Sequence, residues 1–107
     1  MAEPIRQIKL IESRGEKLSV FLDAKINDQE DLVLEGQDLG PRVEEYWGDS
    51  DYEYWVVVPK AYKDTVLLWL LKERFAEGTP PAAFKSDSEF SEWLKAKGIP
   101  YEFSSYA

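Results

Sequence analysis

Asp51 to Val58, DYEYWVVV, is the stretch that most narrows what this chain can fold into. Tyr, Trp and Val suit a pleated, half-buried surface, and here they fall on both sides of the chain. As a strand, it places Tyr52, Tyr54, Val56 and Val58 on one face and Glu53, Trp55 and Val57 on the other. Such a strand sits inside a sheet with both faces partly covered. Pro59 ends it, and KAYKDTVLLWLLKERFAEG follows as the longest helical run, closing near Gly78. The middle of that run is apolar nearly all round. Tyr62, Val66, Leu67, Leu70, Leu71 and Phe75 form the main stripe, widened by Leu68 and Trp69, so the helix is expected to lie across the sheet as a core piece.

The residues upstream supply the rest of the sheet. IRQIKLIE and LSVFLDAKI flank SRGEK, where Gly15 gives a permissive turn position, and Leu18, Val20, Leu22, Ala24 and Ile26 repeat with period two. This reads as a hairpin. NDQED turns the chain again, and Leu32 to Glu35 reads as a third strand that stops at Gly36. Gly36 and Gly40 then bracket a turn, Pro41 suits a first helical position, and Val43, Tyr46 and Trp47 give a short helix an apolar side. That helix directs Glu44 and Glu45 outward, beside Asp49, Asp51 and Glu53.

Beyond the long helix, TPPAAFK is a loop, since consecutive prolines continue neither helix nor central strand. Ser86 with Glu89 suits a capping box, and Phe90, Trp93 and Leu94 give the second helix a buried side that ends at Gly98. IPYEFSSY reads as a last strand at a sheet edge, because Pro100 lacks a donor. The expected fold is therefore α+β: a mostly antiparallel sheet of four to five strands, meander first, with one long and one shorter helix packed on one face. A length of 107 residues suits one domain, residues 1–107.

Charge is distributed unevenly. Residues 28–54 carry ten acids against Arg42 alone, a local net of -9 within a total of -8, while both flanking segments are close to neutral. A field of that sign favours a basic partner and repels phosphate backbones, so nucleic-acid binding is not expected. With no His and no Cys, the usual nucleophile and base pairs and thiolate or imidazole metal sets cannot be assembled. No phosphate-binding glycine motif occurs. DSDYE resembles the opening of a calcium loop, yet Tyr54 stands where the loop needs glycine and Lys60 where it needs glutamate. No metal, cofactor or catalytic residue is assigned. The N-terminal segment carries charges where a signal peptide would be apolar, and the apolar run Val66 to Leu71 is too short to span a bilayer, so no membrane partner and a cytoplasmic location are expected.

LVLEGQDLGPRVEEYWGDSDYEYWVVVP resembles a group of small bacterial proteins of unknown function that share a GQDLG turn, an acidic segment and a DYEYW-like strand. The resemblance spans about residues 31 to 59 and implies a bacterial cytosolic origin but no activity.

Glu44, Glu45, Trp47, Asp49, Asp51, Tyr52, Glu53 and Trp55 are the candidate binding residues, combining aromatic anchors with charges that steer a partner. Trp55 and Tyr54 face opposite sides of their strand. A single helix layer leaves one of those sides to present aromatics outward. The leading expectation is a non-catalytic acidic protein-binding domain, such as an inhibitor or immunity-type partner of a basic protein. The alternatives are a carboxylate-based small-ligand-binding protein or enzyme, with two of the acids in one pocket and raised in pKa, and a self-associating structural domain that forms a homodimer through a sheet face or its last edge strand.

Overall fold

A computed structural model describes residues 3–47, 51–75, 78 and 83–106. The chain forms β1 (Gln7–Ser13), β2 (Ser19–Ile26), β3 (Leu32–Leu39), α1 (Pro41–Trp47), β4 (Asp51–Val58), α2 (Lys60–Arg74), α3 (Asp87–Ala96) and β5 (Glu102–Tyr106). All neighbouring strands are antiparallel, and their order in the sheet is their order in the chain, β1 to β5. This is the expected α+β meander, with β5 at an edge beside β4.

Period-two alternation sorts the strands into two faces. Leu22, Leu34, Tyr54, Val56 and Val58 point to one side, where Val66 of α2, Phe90 and Leu94 of α3, and Ile99 complete a single apolar cluster. Ser86 caps α3 by accepting from the Glu89 backbone N–H at 3.2 Å, and the Glu89 carboxylate accepts from the Lys85 N–H at 3.1 Å. The reciprocal bond thus falls one residue upstream of the usual capping box. α2 follows Pro59 directly and has no cap of its own. Its start is held instead from the β2–β3 turn, where the Asp31 carboxylate accepts from the Lys60 N–H at 2.8 Å and Glu30 pairs with Lys63 at 3.5 Å. Its far end is tied to α3, since Glu73 accepts from the Trp93 indole at 2.9 Å and pairs with Lys97 at 3.0 Å.

Two expectations are corrected. β3 does not stop at Gly36 but runs through it to Leu39, so QDL is strand rather than turn. Gly36 lies directly opposite Tyr54, and the Tyr54 ring fills the space a side chain would take: a Cβ at Gly36 would stand 2.1 Å from Tyr54 Cε2. The second correction concerns α2, which buries only Val66 completely and leaves Leu67, Leu68 and Leu71 exposed, as is Phe75 just past its end. One side of a helix is all that a flat sheet can cover. The helix also ends at Arg74, short of Gly78.

Gly36→Ala is expected to cost about 2 kcal/mol, because a buried ring in a close-packed site has nowhere to go. A drop in Tm on the order of 10 °C follows for a domain of this size. In a Tyr54→Ala background the same substitution loses most of its cost, which a double-mutant cycle in denaturant measures. Equal costs in both backgrounds would rule out the ring as the reason for the glycine.

Candidate functional site

α2 and α3 both pack on the face that carries Leu22, Leu34 and Val56. On the opposite face, the register brings Asp23, Glu35 and Trp55 into one row and Phe21, Gln37 and Glu53 into the next. Each row is contributed by β2, β3 and β4 in turn. The six side chains and the Gly36 backbone line a shallow depression of about 210 Å³ with acidic walls and an aromatic surface.

The groups around it are differently engaged. Glu35 pairs with Lys25 at 2.9 Å and stands directly opposite Trp55 in the β3–β4 register. The Lys25 bond, more than any other influence, holds its carboxyl below the ordinary glutamate range against the opposing effect of partial burial. Asp23 accepts from the Gln7 amide at 2.9 Å, and Asp51, at the head of β4, accepts from the Gln37 amide at 3.1 Å. Glu53 has no hydrogen-bond or ion-pair partner among the described residues. Of the three carboxylates in the depression, Glu35 has a cation, Asp23 only the neutral Gln7 amide, and Glu53 neither. Just past the end of β1, the Arg14 guanidinium lies 5.1 Å from the centre of the Phe21 ring, so a cation already rests against one aromatic ring of the depression.

Charge is graded across the same face. Lys9 and Lys25 stand on β1 and β2, whereas the residues that β3, β4 and β5 direct to this side include Glu35, Asp51, Glu53 and Glu102 and no base. Tyr106, largely exposed, stands opposite Glu53 and extends the aromatic surface to the β5 edge.

The structure divides the residues singled out from the sequence. Asp51, Glu53 and Trp55 share the open face, and Glu53 and Trp55 line the depression. Tyr52 points to the helix side, where its ring lies 5.6 Å from that of Tyr54. Glu44 and Glu45 are exposed on α1, the side chain of Trp47 lies outside what the structure describes, and Asp49 is outside the described residues. Phe21, Asp23, Glu35 and Gln37 were missed. Their alternation with Leu22 and Leu34 was visible, but their meeting with Trp55 depends on strand order and register, which no local pattern carries.

The carboxyls raised above their ordinary range lie on the other side. Burial raises Asp38, partly opposed by the hydrogen bond that the Tyr54 hydroxyl donates to it at 2.9 Å. Burial also raises Asp87, at the start of α3, with the Asp38 charge adding to the effect. The Tyr54 phenol is pushed up mainly by its own burial and held protonated beside Asp38. This arrangement fastens β4 to β3 through a donor that does not ionise.

Among the described residues no cluster of three potential metal ligands occurs, and no helix is long and apolar enough to cross a membrane. No family model, curated protein or solved structure matches the chain.

Glu35→Gln is expected to destabilise the domain by about 0.5 kcal/mol at neutral pH, the scale of a half-exposed pair screened by solvent. The Glu35 carboxyl titrates lower in the folded chain than in the unfolded one, so its contribution is fully present above the ordinary value of about 4.3. It is lost as pH falls through the lowered folded value. The gap between wild type and variant therefore closes on acidification, as denaturant melts at neutral and acid pH would measure. A gap that widens toward acid would contradict the pairing.

Proposed function

We propose that this domain is a non-catalytic binding module that holds a basic protein through the acidic, aromatic side of β3, β4 and β5. The observation that carries the reading is the depression between Phe21 and Trp55, with Glu53 left without a cation of its own. A Lys or Arg side chain from the partner rests against the Trp55 ring and takes Glu53 as its counter-ion. Asp51 and Glu102 extend the favourable potential along the sheet, which speeds encounter and sets orientation. The aromatic surface supplies affinity because a cation against an indole keeps much of its attraction at a partly dried interface. A net charge of -8 disfavours nucleic acid as the partner.

The probe that tests this is a fluorescein-labelled peptide rich in Lys and Arg, titrated at several salt concentrations and followed by anisotropy. Binding is expected to weaken steeply with salt. Trp55→Ala weakens it about tenfold, the scale of a cation–π contact in a partly desolvated site. Glu53→Gln weakens it several-fold, while Glu92→Gln, which removes the same charge from the helix side, leaves it nearly unchanged. Equal effects of Glu53→Gln and Glu92→Gln would mean that only net charge matters, and the proposed site would be wrong.

A further inference from the structure

The outer side of α2 is more apolar than a solvent-facing helix surface should be. Val66 points into the core, while Leu67, Leu68, Leu71 and Phe75 are 54%, 65%, 47% and 82% exposed. At helical spacing these four fall within an arc of about 100°, centred roughly 150° around the axis from Val66. They form one stripe that points away from the sheet. At ordinary Leu and Phe surface areas they expose on the order of 500 Å², toward the upper end of the largest apolar patch on a typical monomer. Leu70, at the margin of the stripe, also lines an apolar groove of about 340 Å³ with Leu10, Ile11 and Phe84, so the apolar surface continues toward β1. A helix that is apolar all round is one that is buried on both sides.

We infer that the outer stripe of α2 is the interface of a homodimer in which two copies of α2 pack antiparallel across a two-fold axis. The charges that end the stripe select both the partner and its direction. Asp64 and Arg74 lie at the two ends, exposed, with no ion-pair partner for either among the described residues. Asp64, Leu67, Leu71 and Arg74 follow the a and d spacing of a helix seam. In an antiparallel pair, Leu67 of one copy meets Leu71 of the other, and Asp64 meets Arg74 twice, once on each side of the axis. A parallel pair in register would instead set Asp64 against Asp64 and Arg74 against Arg74. The surface is thus complementary to itself in one orientation only.

The stripe lies on the opposite side of the sheet from the acidic depression, so the dimer stands or falls independently of the basic-partner reading.

Sedimentation equilibrium of the full chain tests it. A mass twice 12.4 kDa is expected at micromolar concentration. Leu71→Glu is expected to give a monomer with an unchanged circular dichroism spectrum, since that side chain is outside the core. Asp64→Arg and Arg74→Asp, each alone, weaken the dimer at least about tenfold by setting like charges together. Mixing the two single variants restores a dimer, because each of the two contacts then pairs Arg with Asp. A chain that stays monomeric at high micromolar concentration overturns the inference, whether or not it then sediments with anionic vesicles. So does a dimer indifferent to Leu71→Glu, or one in which the mixed variants fail to recover.

Discussion

The sheet depends on one close approach, the Tyr54 ring laid over Gly36. Because a strand alternates its side chains, a slip of one residue between β3 and β4 would turn every side chain of one strand to the wrong face. The ring and the missing side chain fit in one register only, and the Tyr54 hydroxyl on Asp38 marks that register a second time, two residues along β3. Glu35 then stands beside Trp55 and Gln37 beside Glu53 as a consequence. The depression on the open face is therefore set by a contact on the buried one.

That contact also decides where polar chemistry can reside. No polar or charged residue is fully buried among the described residues, and no buried side-chain polar atom lacks a partner. Asp38 and Asp87 come nearest, and their raised titration is the cost of partial burial beside each other. The remaining acids lie at the surface, where their common field acts on whatever approaches. A domain built in this way has a dry interior and a charged exterior, and recognition falls to its surfaces.

The two longer helices, α2 and α3, are held by different means. α3 has a good cap and a clear apolar side, with Phe90 and Leu94 buried. α2 is anchored at its ends, by Asp31 and Glu30 at the start and by the Glu73 link to Trp93 and Lys97 near the finish. Lys97 also lies 4.1 Å from the centre of the Trp69 ring, which closes the joint between the helices. With both ends tied, α2 needs few core contacts along its length. That leaves its outer leucines free for other use.

Local pattern determined the elements. Alternation from Leu18 to Ile26, the aromatic and Val run from Asp51 to Val58, the prolines that break the chain and the Ser86 cap each act over a few residues, and each was legible. So was the division of Tyr54 from Trp55, since neighbours on a strand must face opposite ways. Tertiary structure alone decided the cross-strand company that Trp55 keeps, because Phe21, Asp23, Glu35 and Gln37 reach it through strand order and register. It also decided that β3 continues through Gly36, a residue whose weak strand preference is overridden by a ring from β4. The sides of α2 were undecided for the same reason. A helix apolar all round carries no local signal for which face meets the core, and the sheet could cover only one of them.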